Sequence, residues 1–372
     1  MEGKYYSSGE DRMDHPYVSS LNTTAIKHDA TRGQRSMWPV SMKKPFLTVI
    51  VTAFRRRDFL LETLSSLEWQ SADRNDIEVI VIKDFDDSEA DSKIAANHWI
   101  SMHSSSEMIG PFITEAIERS SGDVISFLDD DDIFEPEKLA TVMNVFRSHP
   151  EVGYYHNSAS FINEAGKQIE APYSFNFSTA KEPDGERVIS RKDVAANANK
   201  LIRMRIDFNK SCISVRRDVL MPYIGISRQM PSGYDSFIFF CAAFSNFSIL
   251  SDNRRLTRYR FNRKSVSITS TYRFSSRQIK THMLMKKMAL DAGHKEIANL
   301  LERQILFFRT INAIHNPVES RQEVIRTALS FIRHDNDYSR MGNTFAGILS
   351  MAYIVSPRLS KRIYSKLTSP ET

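Results

Sequence analysis

Cysteine is almost missing from this chain: its 372 residues include only Cys212 and Cys241, both beside apolar neighbours in "SCISV" and "FFCAAF". Two such residues build neither a disulfide framework nor a four-ligand zinc site, and they favour a reducing, cytoplasmic setting. Long apolar runs are absent as well. No stretch reaches the roughly 18–20 apolar residues of a membrane span, and the opening "MEGKYYSSGEDRMDHPYVSS" lacks the charged and then apolar order of a signal peptide. No glycine-rich phosphate loop precedes the first expected helix, where "TAFRRRD" stands instead, which weighs against a nucleotidyltransferase. Internal repeats and low-complexity tracts are likewise missing.

What is present is a globular composition, 41% hydrophobic and 26% charged, enough for one large domain with an appendage or two modest ones. The net charge of +5 is too mild to imply a nucleic-acid partner, but it suits anionic ligands such as phosphates or acidic lipid headgroups. Residues 1–44 are polar and aperiodic and read as a tail or strap. From Phe46 the pattern changes. "FLTVIVTAF" and "DIEVIVIK" are β-branched runs without alternation, as expected of strands buried on both faces. Between them Leu60, Leu64 and Leu67 share one helical face, so the segment is a βαβ unit. "GPFITEAIERS" predicts another helix and "DVISFL" a third strand, giving the alternation of a mostly parallel α/β sheet flanked by helices.

Further on, "VGYYHNSASFINEAGKQI" predicts a hairpin turning at residues 164–166, and residues 171–200 a polar loop with a short helix. "KSCISVRRDVL" reads as strand into helix. Residues 276–315 form a helical pair broken at Gly293, with Ile279, Met283, Leu290, Ile297, Leu301, Ile305 and Phe308 on the apolar face. Pro317 would end the pair, Ser320 and Glu323 would cap a further short helix, and Pro357 would stop the last apolar run.

Four consecutive aspartates, Asp129 to Asp132, close the third strand and precede a helix start near Glu135-Pro136. Two unit charges about 4 Å apart repel by about 4 kcal/mol at an effective dielectric of 20, so such a cluster calls for a cation or for protons. Oxygen-only ligands suit Mg²⁺ or Mn²⁺, and alternation places Asp129 and Asp131 on one side. The plainer alternative is a solvated acidic turn capping the following helix. A calcium-binding EF-hand is excluded, because Phe134 and Ala140 stand where that loop needs glycine and glutamate.

The run "SGDVISFLDDDDIFEPEKL" resembles the nucleotide-sugar site of family 2 glycosyltransferases, where a small-residue-Gly turn and a strand lead into Leu-Asp-x-Asp-Asp and a Pro-x-Lys-Leu helix start; Asp129, Asp131 and Asp132 match. "LTVIVTAFRRRDFLLETLSSL" is similar to the family's first strand and helix, "EVIVIKDFDD" to its second strand, "PSGYDSFIFF" to its Glu-Asp segment, and "LTRYRFNRKSVS" to its later Tyr-Arg strand and loop. The resemblance spans roughly residues 46–270. Thr52 and Arg55 stand in place of the usual Pro and Asn, Ile113-Thr114 in place of Arg-Asn, Tyr234 in place of Glu, and Asn262 in place of His.

The resemblance implies a glycosyltransferase A fold over residues 45–270, after the tail of 1–44 and before a helical region, 271–372. It implies an inverting transfer from a UDP- or GDP-sugar to a hydroxyl or phosphate of a glycan or lipid-linked acceptor. Asp84 would face the nucleotide base, with Thr52, Phe54, Asp129, Asp130 and Arg260 also at the donor. Asp129 and Asp131 would hold Mn²⁺ or Mg²⁺, and Asp235 would be the acceptor base. For Asp235 the plainer role is a helix N-cap, and for Asp84 a strand-end turn.

Arg258 and Arg260 share a strand face, which suits diphosphate contact or a solvated edge strand. Phe345, Ile348, Leu349, Ala352 and Val355 form an apolar stripe flanked by Arg358, Lys361, Arg362 and Lys366. Through residues 343–367 this segment would either dock at the inner face of the cell membrane or pack on the preceding helices or a second subunit, leaving a homo-oligomer open. A non-catalytic relative that binds sugar nucleotide as a scaffold is the rival from another class.

Overall fold

The structure, a computed structural model, describes residues 44–170, 185–261, 272–315, 348–349, 351–353 and 355–368. The tail of residues 1–43, the predicted cap at Ser320 and Glu323, Phe345 and Asn262 lie outside the described residues. Among the described residues, no helix is long and apolar enough to cross a membrane.

The apolar runs become strands β1 (Leu47–Ala53), β2 (Ile77–Lys83) and β4 (Val124–Asp129). With β3 (Ile100–His103) they form a parallel block in the order β3-β2-β1-β4. Successive residues point to opposite faces, and both faces are covered. Val49, Val51, Val79 and Val81 pack with Leu60, Leu64 and Leu67 of helix α1 (Leu60–Glu68), Ile94 of α2 (Ser88–Ala96) and Phe146 of α4 (Lys138–Ser148). Ile50, Ile80 and Ile82 point the other way, against Phe112 and Ile113 of α3 (Ile109–Arg119). Burying each such side chain stabilises by about 1.5–3 kcal/mol, so the three layers follow from the absence of alternation in the sequence.

Beyond β4 the sheet becomes mixed. Strand β9 (Ile213–Arg216) runs antiparallel to both β4 and β6 (Val152–Ile162), with Ser126 and Ser214 hydroxyls 2.6 Å apart across the β4–β9 pair. β10 (Ser248–Arg260) then runs parallel to β6 and pairs at its far edge with β5 (Ile133–Phe134), the two-residue strand that follows the aspartates. The expected hairpin is β6 and β7 (Gln168–Ile169), and β8 (Arg187–Ile189) adds to β10.

Short helices α5 to α8 (Arg191–Val194, Ala198–Arg203, Arg217–Leu220, Ile224–Ser227) lead to α9 (Tyr234–Ala243). The expected helical pair is α10 (Tyr272–Asp291) and α11 (Lys295–His315), with Gly293 between them. Their inner face differs from the expected one. Met285, Met288 and Ala289 enter the core with Phe239 and Leu301, while Met283 and Leu290 are each 51% exposed. The helical turns before Pro357 end at Val355, as expected of the apolar run, and Pro357 then opens α12 (Pro357–Thr368), where its missing N–H costs nothing. The apolar stripe is split. Leu349 and Ala352 are buried while Ile348 and Val355 face solvent.

Candidate active site

The aspartates leave β4 at the carboxyl edge of the parallel block, where open α/β sheets hold ligands. Gly122 fixes the start of that strand. Its N–H donates to Thr48 Oγ1 at 2.9 Å, and a Cβ there would fall 2.6 Å from the Thr48 nitrogen, so no larger residue fits.

Helix α1 shapes the loop that follows. Thr63 Oγ1 donates to the Asp132 carbonyl at 2.9 Å, Ser66 Oγ accepts the Phe134 N–H, and Gln70 donates to the Glu135 carbonyl while accepting the Leu139 N–H. Thr63 and Ser66 lie on α1 beside its buried leucines and Gln70 just past its end, so one segment carries both the core face and the loop clamp.

The solvated-turn alternative fails on burial: Asp130, Asp131 and Asp132 are 4%, 8% and 1% exposed. Asp132 is the loop's anchor. Its Oδ2 accepts from Ser211 Oγ at 2.6 Å and Asn209 Nδ2 at 2.9 Å, and its Oδ1 accepts from the Arg260 N–H at 3.0 Å. Asp129 Oδ1 accepts from Thr52 Oγ1 at 2.9 Å and from Lys210, whose Nζ also donates to Thr52 Oγ1 at 2.7 Å. Arg56 Nη2 bridges two carboxylates, 2.5 Å from Asp130 Oδ1 and 2.6 Å from Asp131 Oδ2. Asp130 Oδ2 is buried with no partner among the described residues. Burial first, then the repulsion of neighbouring aspartates, raises the proton affinity of Asp130, Asp131 and Asp132 above the usual carboxylate range; at Asp130 and Asp131 the Arg56 charge opposes the rise.

Arg260 does not fit the donor role expected of it. It is 1% exposed and packs over the Phe59 ring. Its donors go to the carbonyls of Asp131, Asn163 and Glu164 and to the Glu62 carboxylate at 2.5 Å. Arg258 forms a two-pronged pair with Glu135 at 2.6 and 2.8 Å. The basic strand therefore fastens the acidic loop from behind, and its alternation could not say which face met the cleft.

Asp84, just past β2, accepts the Arg55 N–H at 2.8 Å and holds Arg55 in the left-handed region, φ 63°. Phe54 stacks edge-on to Phe112, with the Arg55 guanidinium over its ring. Asp87, not Asp84, caps α2 by accepting the Ala90 N–H.

Asp235 is not the cap of α9. Gly233, at φ 62°, takes that place, where a Cβ would also meet Thr281 of α10 at 3.1 Å; Asp235 sits in the first turn. Burial first, then the charge of Asp129, pushes its carboxyl up to about 6, while Lys210 lowers it, so Asp129, Lys210 and Asp235 share one electrostatic neighbourhood. Asp207 lies beside them: burial and the Asp235 charge push it up to about 7, and Ser236 Oγ donates to it at 2.9 Å. Tyr154 and His156 of β6 bind the carbonyls of Ile206 and Phe208, and so pin this segment to the sheet. The positions that depart from the resemblance are linked, since Thr114 and the Tyr234 hydroxyl meet through Ser227 Oγ in a neutral buried chain.

Of the residues expected at the site, the structure brings Thr52, Asp129, Asp130 and Asp131 together at the end of β4, with Asp84 on the neighbouring Arg55 loop. Sequence reasoning did not single out Arg56, in the loop just after β1, nor Asp207, Asn209, Lys210 and Ser211, which the pairing of β9 with β4 and β6 brings close. Among the described residues, no group of three or more His, Cys, Asp or Glu side chains is placed to hold a metal ion. An all-protein cage is therefore not what the donor set offers. The unpartnered Asp130 oxygen beside Asp129 and Asp131 does fit a hard divalent ion that takes one or two carboxylates and completes its shell with water and phosphate oxygens.

Residues 48–195 match the sequence model of Glycosyl transferase family 2. Protein CgeD of Bacillus subtilis is 25% identical over 141 residues, covering 34% of this chain and 33% of that protein, so the match spans about a third of its length. An uncharacterized glycosyltransferase of Haemophilus influenzae is 23% identical over 229 residues, 60% of this chain and 71% of that one. The fold is similar to the crystal structure of S. aureus TarS residues 1–349, with TM-score 0.55 and 15% identity over 86% of this chain and 91% of that one. The same TarS fragment in complex with UDP-GlcNAc gives TM-score 0.55 at 13% identity, over the same shares of the two chains. The acid-lined strand edge and the match of residues 48–195 make this chain similar to family 2 glycosyltransferases, and its sheet has the glycosyltransferase A fold.

Proposed function

We propose that the protein moves a sugar from a UDP- or GDP-sugar to a hydroxyl or phosphate of a glycan or lipid-linked acceptor, inverting the anomeric centre in one displacement. The observation that carries this reading is the buried aspartate run at the carboxyl end of β4, with Asp129 held by Lys210 and Thr52. Asp84 and Phe54 flank the base side. Asp129 and Asp131 would hold Mn²⁺ or Mg²⁺, which when bound would offset the charge of the departing diphosphate.

The chain's own residues do the rest. Asp235, ionised above about 6, takes the acceptor proton as the acceptor oxygen bonds the anomeric carbon and the bond to the diphosphate breaks. Lys210, fixed by Thr52 and Asp129, presents a positive charge where negative charge develops. Titration with a panel of UDP- and GDP-sugars in the presence of Mn²⁺, followed by acceptor transfer and anomeric analysis, tests the reading. Binding with inversion supports it; binding without turnover favours a scaffold.

The acceptor side would lie at the inner face of the cell membrane. Ile348, Met351, Val355 and Leu359 are exposed at successive turns, while Leu349 and Tyr353 pack with Ile311. Exposed Arg358 and Lys361 adjoin them, and residues 341–370 contain no Asp or Glu, so an anionic lipid surface is the complementary partner. Sedimentation with phosphatidylglycerol-containing vesicles should capture the full chain, and Val355→Asp with Leu359→Asp should release it. Equal binding to neutral vesicles, or a dimer that the same changes dissolve, would contradict the lipid assignment.

A further inference from the structure

We infer that Arg56 is a built-in counter-cation: it occupies the carboxylates that a divalent ion needs, so that metal and donor diphosphate enter this site together. That the incoming anion is a diphosphate rests on the transferase reading; the competition between Arg56 and metal does not.

The four aspartates divide by partner. Asp132 is satisfied by Ser211, Asn209 and the Arg260 N–H, and Asp129 is held by Lys210 and Thr52. Asp130 and Asp131 share a single guanidinium nitrogen. The Arg56 side chain is 26% exposed, against 6% and 11% for the two carboxylates, so it lies on their solvent side. An Mg²⁺ ion sits about 2.0–2.1 Å from its carboxylate oxygens. Arg56 Nη2 stands 2.5 Å from Asp130 Oδ1 and 2.6 Å from Asp131 Oδ2, so an ion bound to those same two oxygens must displace it. The second Asp130 oxygen stays buried and unpartnered, a place that the guanidinium neutralises without bonding.

A guanidinium binds phosphate oxygens through its planar fork. An arriving diphosphate offers Arg56 a new anion and frees Asp131, which with Asp129 would hold the metal, and uncovers Asp130 beside them. Each ligand then raises the affinity of the other by the same factor, which is reciprocal coupling through one side chain. Arg56 and its two neighbours in "RRR" gave no periodic signal, and Asp130 was expected only at the donor.

The test is calorimetric titration of Mn²⁺ alone into the full chain, as wild type, Arg56→Gln, Arg56→Lys and Arg56→Gln with Asp131→Asn, with circular dichroism to verify folding. Arg56→Gln should bind Mn²⁺ about tenfold or more tightly than wild type, within the usual range for coupled sites. Arg56→Lys, which keeps a cation without the fork, should fall between them and decides the matter if the Gln variant does not fold. Asp131→Asn should cancel the gain. Unchanged or weaker Mn²⁺ binding in both single variants overturns the inference. A gain in Mn²⁺ affinity without any nucleotide-sugar binding would leave the inference standing and remove the transferase reading. Nucleotide-sugar binding with no gain would do the reverse.

Discussion

Asp130 and Asp132 stand two residues apart in one loop, both nearly sealed from solvent, yet their surroundings are opposites. Asp132 receives three neutral donors from β10 and the turn before β9, and it holds the loop to the sheet. Asp130 shares one guanidinium nitrogen with Asp131 and keeps an unpartnered oxygen. Proteins rarely leave a buried polar atom without a partner, because each costs about 1–3 kcal/mol. The satisfied carboxylate marks the floor of the site, and the unsatisfied one marks its mouth. The same division separates Arg260, whose donors all point into the fold, from Arg56 and Lys210, which face the carboxylates at the mouth.

The largest expected break in this comparison is at the mouth. Asp235→Asn should lower turnover by about 10²–10⁴-fold, as for loss of a general base, with an unchanged melting temperature in a calorimetric scan. Lys210→Met should lower turnover by about 10²-fold with little change in folding, judged by steady-state kinetics beside circular dichroism. The floor should respond in the opposite sense. Arg260→Ala leaves Asp131, Asn163 and Glu164 carbonyls without donors, and should cost about 3 kcal/mol in urea unfolding while the remaining folded molecules keep their turnover number.

A pH profile sharpens the mouth further. In the proposed mechanism Asp235 must be ionised to accept a proton, so kcat/KM should fall as pH drops through about 6 and level off above it. The smallest effect is expected in the neutral chain: Thr114→Val should cost about 1 kcal/mol of stability and leave activity alone.

The parallel block was legible because a strand buried on both faces shows as an unbroken apolar run, and three such runs alternate with helices. The insertion of β9 between β4 and β6 was not, since "CISV" carries no mark of which strands it joins. That insertion delivers Asn209, Lys210 and Ser211, so these three arrived with a pairing that local patterns do not encode. The inner face of α10 was misjudged for a different reason: methionines at 283, 285 and 288 satisfy helical spacing on more than one face, and only packing against Phe239 and Leu301 decides between them. The acidic run was legible as chemistry but not as a division of labour, because four identical residues differ only in what surrounds them.

The central claim is that the mouth of this acidic loop receives a nucleotide sugar together with a divalent ion. Titration of UDP- and GDP-sugars into wild type and Asp131→Ala, each with and without Mn²⁺, tests it most directly. The account predicts saturable, Mn²⁺-strengthened binding to the wild type and loss of the Mn²⁺-dependent part in the variant. Binding by Asp131→Ala with unaltered affinity and an unaltered response to Mn²⁺ would contradict it.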